Sequence, residues 1–298
     1  VKYNHSPKTR TDGRLFGENS IQTVCKNIRA FLTEEYTTDI DMVNCHPQLL
    51  MRICENQQIE CPNLKQYCNE RKEILQRLMA DDNISYEDAK KKILVSTNSN
   101  KAIKSNNEFL KNYDREIAKI QKRLLDVREY NYLKDIANKD SNFEGSFLNH
   151  ILCVHENYIL KLMRQWCVDN EIKIHSLMFD GLMVYGDINE VTLTTIEKHI
   201  HENSMFTNIK LVIKPHEHTF NIPDNYIGKV RMSYNEMKQL FEKENCKVGC
   251  QFVNEKHDTV NIYKKGDFTT LHEELIYFED KEMNFIELYR SLIGKTFE

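Results

Sequence analysis

Two short apolar runs, each carrying an isolated carboxylate, constrain this chain more than any other feature. The first is Asp39-Ile40-Asp41-Met42-Val43, and the second is Ile174-His175-Ser176-Leu177-Met178-Phe179-Asp180-Gly181-Leu182-Met183-Val184. Both are β-prone, and Asp41 and Asp180 stand 180 − 41 = 139 positions apart. Folding that joins such strands brings two carboxylates together, and paired carboxylates are hard oxygen ligands for divalent cations. Two such cations are a common engine of phosphodiester chemistry. Asp39 competes for the first ligand position, because residues two apart on a strand share a face. The apolar neighbours Ile40, Met42 and Val43 favour Asp41 as the residue at a buried strand end.

The rest of the pattern places helices around those strands. Ile21, Val24, Cys25, Ile28, Phe31 and Leu32 recur at helical spacing, which predicts a helix over 20–32. Residues 36–41 read as a short strand, and Pro47 suits the first turn of a helix carrying Leu49, Leu50, Ile53 and Cys54. From 63 to 138 the Lys-, Glu- and Leu-rich chain is predicted to be helical. Ser85 followed by Asp88 reads as a capped start. Phe109, Leu110, Tyr113, Ile117, Ile120, Leu124 and Leu125 share one face of a long amphipathic helix or hairpin over 106–137. A further helix is expected over 146–167. Strands over 173–179 and 182–185 would form a hairpin with Asp180-Gly181 as its turn dipeptide. A helix over 191–201 and a strand over 209–213 follow.

The fold class is therefore α+β: a small antiparallel sheet bears the acids, helices flank it, and a helical insertion separates the acidic strands. After about Ile227 the character changes. A helix over 232–244 and short strands at 248–252, 260–263 and 273–278 are expected, which divides the chain into 1–227 and 228–298.

Composition excludes some classes. With 298 residues and 40% hydrophobic content the chain can build a real core. A formal net charge of −4 gives no global attraction to nucleic acid, so any such surface must be local, as Lys90-Lys91-Lys92 with Lys101 and Lys104 would be. Nine cysteines without a paired framework, and no long apolar run, point to a reducing intracellular compartment and no membrane partner. Cys54, Cys61 and Cys68 are separated by six-residue gaps, the wrong spacing for the short knuckles of a structural zinc site. His150 and His155 read as ordinary helix residues. The chain begins with Val rather than Met and reads as a piece of a longer polypeptide.

The Gly13-Arg14-Leu15 turn, Gln22, Ile28-Arg29-Ala30-Phe31, Asp41, the lysine-rich helix and Asp180 also follow one another in a family's order. Residues 10–220 resemble a shortened palm and fingers of the family A (DNA polymerase I-like) polymerases. The resemblance implies a polymerase palm with a reduced helical fingers insertion and a small C-terminal α/β connector. It implies template-dependent nucleotidyl transfer to a primer 3′-hydroxyl in viral-type DNA replication. Asp41 and Asp180, with Asp39 competing, would hold Mg²⁺ or Mn²⁺. Lys91 would meet the triphosphate, with Lys90 and Lys92 as alternates. Asn44 and His46 would stand beside the incoming nucleotide, His46 where the family's Glu crowds the sugar. Arg14 would serve both the nucleotide and the nucleic acid, and Gln22, Arg29 and Glu156 would face primer and template.

The implied partners are primer-template DNA, or an RNA–DNA hybrid, and a dNTP or NTP. Two departures qualify the match: Phe179-Asp180-Gly181 replaces the family's His-Asp-Glu, and no Tyr-Gly follows the lysine helix. Two other readings stay open. One is a primase or single-subunit RNA polymerase using NTPs; the other is an inactive polymerase-fold module that binds nucleic acid in a replicase.

Residues 232–248, with Met232-Ser233-Tyr234-Asn235-Glu236-Met237-Lys238, Phe241-Glu242-Lys243 and Cys246-Lys247-Val248, resemble the connector preceding superfamily 3 helicase domains of viral replication proteins. No phosphate-binding loop of the Gly-x-x-x-x-Gly-Lys-Ser/Thr form is present, so a helicase domain in the same parent polypeptide is expected beyond Glu298. The cytoplasm, the nucleus or a viral factory would be its compartment.

Overall fold

The computed structural model describes residues 1–5, 13–18, 20–137 and 141–219, and the backbone of 250–253 and 259–262. The chain divides into two compact units, residues 3–16 with 37–214, and residues 1–2 with 17–36 and 215–298. Strands β1 (Lys2–His5) and β2 (Leu15–Glu18) form a two-stranded ribbon.

The architecture is α+β, as expected. In the larger unit, β3 (Thr37–Met42), β4 (Ile174–Leu177), β5 (Gly181–Tyr185) and β6 (Leu211–Lys214) form one sheet in the order β4-β5-β3-β6. Its neighbouring strands are antiparallel. β3 is central and five of its six residues are buried, as a short apolar run enclosed on both sides should be. Asp41 lies opposite Gly181 on one side and Val212 on the other.

The β4–β5 connection corrects the predicted turn. The residue that takes the left-handed conformation is Phe179, at φ 61°, and Gly181 is already the first residue of β5. Gly181 is required by proximity instead: a Cβ there would sit 2.1 Å from the Ile40 carbonyl oxygen. Met42 N–H donates to the Asp180 carbonyl at 2.8 Å, so the end of β3 is pinned to the turn that carries the second acid.

The helical insertion comprises α2 (Cys45–Asn56), α3 (Pro62–Asn69), α4 (Arg71–Asp82), α5 (Tyr86–Asn98) and α6 (Glu108–Leu125). Ser85 caps α5 as its sequence indicates, accepting from Asp88 N–H while its hydroxyl donates to the Asp88 carboxylate. The amphipathic run over 106–137 stops being α-helical at Leu125 and continues as a 3₁₀ turn over Arg128–Leu133. Then come α7 (Phe143–Asp169) and α8 (Glu190–Asn203). α7 packs on α2, α6, α8 and the sheet, and Leu49, Ile53, Tyr113, Ile117, Phe147, Ile151 and Leu182 are wholly buried in the shared core.

In the smaller unit the helix expected over 20–32 is split. A 3₁₀ turn, Ile21–Thr23, is capped by the Ser20 hydroxyl, Val24 is extended, and α1 spans Lys26–Thr33. The cap and two consecutive β-branched residues, Thr23 and Val24, favour the break. His218 lies 2.9 Å from the Glu34 carboxylate within this unit. β7 (Cys250–Val253) and β8 (Thr259–Ile262) pair antiparallel, close to two of the expected strands. The expected helix over 232–244 and strand over 273–278 lie outside the described residues. Among the described residues no helix is long and apolar enough to cross a membrane.

Candidate functional site

A cleft of about 950 Å³ opens in the larger unit where the end of β3, the start of α2, one face of α5 and part of α7 meet. Asp41 and Asp180 both line it. Ladder bonds on both sides of β3 fix Asp41, and the β4–β5 turn delivers Asp180 beside it. Burial and the neighbouring Asp180 carboxylate push the Asp41 carboxyl up to about 7, and Lys214 opposes them. Lys214 Nζ lies 2.5 Å from Asp41 Oδ2. Asp39 stands two residues earlier on β3, opposite Lys214 of β6, and is not among the residues lining the cleft.

Only two residues, Val43 and Asn44, carry the chain from β3 into α2. Asn44 adopts φ 51°, a left-handed conformation that Asn tolerates better than most residues. This tight junction sets Asn44 and His46 at the cleft. Glu156 of α7 is 1% exposed and takes a two-pronged ion pair from Arg14, Nε to Oε2 at 2.5 Å and Nη2 to Oε1 at 2.8 Å. The Arg14 guanidinium also lies 4.9 Å from the Phe179 ring centroid. His46 Nε2 is 3.2 Å from Glu156 Oε1. Burial lowers the His46 pKa, but Cys153 and Glu156 outweigh it and hold the imidazole at about 9. Burial favours the neutral form of Glu156, and the hydrogen bonds from Arg14 and His46 reverse that and hold its pKa down.

Sequence reasoning picks out most of this cleft but misplaces some members. Lys91 is exposed and does not line it, whereas Lys90 does, with Leu94 and Asn98 one and two turns further on the same α5 face. Lys92 is turned to Asp82 at 2.6 Å. Glu156, expected to face a template, is instead sequestered by Arg14, because a buried carboxylate must be paired. Gln22 and Arg29 belong to the smaller unit. Gln22 is buried and accepts from Gly17 N–H, and Arg29 donates to the Val24 carbonyl.

Sequence reasoning missed Arg71, Lys214 and Asn98, which also line the cleft. Lys214 ends β6, one residue beyond the strand expected over 209–213, directly opposite Asp39, a pairing visible only once register is known. Two buried polar atoms at the cleft, Asn44 Nδ2 and Asn98 Oδ1, have no hydrogen-bond partner. Buried polar atoms without partners cost stability, and in a cleft they are free to meet a ligand.

The chain is 30% identical over 241 residues to a protein of Sputnik virophage described as "Putative helicase V13". The match covers 75% of this chain and 31% of that protein, so the chain spans about a third of the relative's length. No family model matches the chain. These findings correct the functional expectation. That relative is described as a helicase, which counts against template-dependent nucleotidyl transfer, whether as DNA polymerase, primase or RNA polymerase. The viral, replication-associated part of the expectation is supported. The one Gly-Lys-Thr in the sequence, residues 294–296, has Tyr289 where a phosphate-binding loop would carry its first Gly, and it lies outside the described residues.

Proposed function

We propose that this chain is a nucleic-acid-processing part of a helicase-type viral replication protein. Its cleft would hold a divalent cation, Mg²⁺ or Mn²⁺, between Asp41 and Asp180, together with a phosphate of a nucleotide or nucleic acid strand. One observation carries the reading: two neighbouring carboxylates share a cleft with Arg71, Lys90 and Lys214 and with two unpartnered polar atoms. Hard carboxylate oxygens suit Mg²⁺ and Mn²⁺. The raised Asp41 pKa reflects burial first and the like charge of Asp180 second, both of which a divalent ion would offset, and Lys214 already brings one positive charge to that carboxylate. Basic side chains and open donors would then take the phosphate oxygens.

Calorimetric titration of the whole chain with Mn²⁺, alone and with ATP or single-stranded DNA, tests this. Asp180→Asn and Asp41→Asn should each weaken Mn²⁺ binding at least tenfold, about 1.4 kcal/mol, and Mn²⁺ should tighten binding of one of the two phosphate ligands. Equal Mn²⁺ affinity in wild type and both variants would overturn the reading.

A further inference from the structure

A separate ligand set stands at the cleft. His46 in the first turn of α2, and Cys153 and Glu156 on α7, bring an imidazole nitrogen, a thiol sulfur and a carboxylate oxygen within 4.8 Å of one another. Among the described residues no other group of three His, Cys, Asp or Glu side chains converges so closely. Cys153 and Glu156 are three residues apart and share a face of α7. Both are buried, and the His46 side chain is 14% exposed. His46 Nε2 already lies 3.2 Å from Glu156 Oε1, so two of the three ligand atoms stand at coordination spacing.

We infer that His46, Cys153 and Glu156 form a binding site for a transition-metal ion of the zinc class, with a coordination position left open toward the cleft. A thiolate and an imidazole select borderline ions such as Zn²⁺ or Co²⁺ over Mg²⁺, so this site is chemically distinct from the aspartate pair. Zinc–nitrogen and zinc–sulfur bonds of about 2.0 and 2.3 Å put tetrahedral ligand atoms about 3.5 Å apart. The three atoms need to close by only about an ångström, within side-chain adjustment. Three protein ligands leave room for a fourth from solvent or ligand, and His46 and Glu156 both line the cleft.

Arg14 does not block the site. A carboxylate has about four acceptor positions, so Glu156 can keep the Arg14 fork and still offer an oxygen. The guanidinium then orients the ligand from outside the coordination sphere. The incoming ion displaces one proton from the His46 ring and one from the Cys153 thiol, which matches its two positive charges. Arg14 therefore meets no added charge.

Titration of the whole chain with Co²⁺ in excess Mg²⁺ tests the site. We expect one ion per chain with a thiolate-to-cobalt charge-transfer band, displaced by Zn²⁺. The band should persist in an Asp41→Asn, Asp180→Asn double variant. It should vanish in Cys153→Ser and in His46→Gln, each checked for folding by circular dichroism. X-ray absorption of the Zn²⁺-loaded wild type reads the same site without any variant, and should show one sulfur with nitrogen and oxygen ligands. Absence of the band in wild type, its retention in folded Cys153→Ser, or two or more sulfurs around zinc would each overturn the assignment.

Discussion

The sheet and the long helix α7 solve opposite electrostatic problems within one unit. On the sheet, Asp41 is buried next to a second carboxylate, and its pKa rises to about 7. On α7, His155 is half-buried beside Tyr130 and Phe206, and desolvation lowers its pKa to about 4. The helix keeps its titratable group neutral at physiological pH, where burial is cheap. The sheet holds an acid in a place that resists its charge. Strain of that kind is retained where a ligand relieves it, and the helix carries none of it at His155.

Breaking the sheet should have the largest effect. Gly181→Ala puts a methyl against the Ile40 carbonyl, so β5 must move from β3, and a loss of roughly 3 kcal/mol or more is expected in denaturant unfolding. Gly186→Ala meets no atom within 4 Å and carries only the conformational cost of φ 81°, about 1 kcal/mol. Similar losses for both would remove the packing argument.

The two buried titrations should then show as opposing pH slopes. His155 has a lowered folded pKa, so the unfolded chain binds its proton first and stability falls as pH drops from about 6.5 toward 4. Asp41 has a raised folded pKa, so the folded chain keeps its proton longer and stability falls as pH rises from about 3.8 toward 7. The effects are on the order of 3 kcal/mol for His155 and 4 kcal/mol for Asp41 across their windows, and in the metal-free wild type they largely offset. His155→Gln should leave a stability that declines from pH 4 to 7, and Asp41→Asn one that climbs. Unfolding midpoints across that range check both signs.

The smallest effect concerns the helical wall. Lys90→Ala should weaken Mn²⁺-dependent phosphate binding by about threefold to tenfold, as loss of one partly exposed charge does. Lys91→Ala, on the exposed side of α5, should leave it within error. Direct titration of both variants separates them, and equal losses would mean that the Lys90 face is not the binding face.

Sequence alone determined the elements whose cause is local. Apolar alternation placed β3 to β6 within a few residues, helical spacing placed α2 and α5 to α8, and Ser85 with Asp88 marked a helix start. That Asp41 and Asp180 come to one cleft was also legible, because an acid inside an apolar strand is placed where the strand ends. Tertiary structure decided what depends on atoms distant in sequence. Gly181 is a glycine because another strand's carbonyl crowds it, and Phe179 takes the left-handed position beside Phe16 and Arg14. Strand register brings Lys214 to Asp41, helix phase turns Lys90 and not Lys91 to the cleft, and helix packing gathers His46, Cys153 and Glu156. Periodicity reports which face a residue occupies, while the charge that satisfies it is supplied by whatever the fold places opposite.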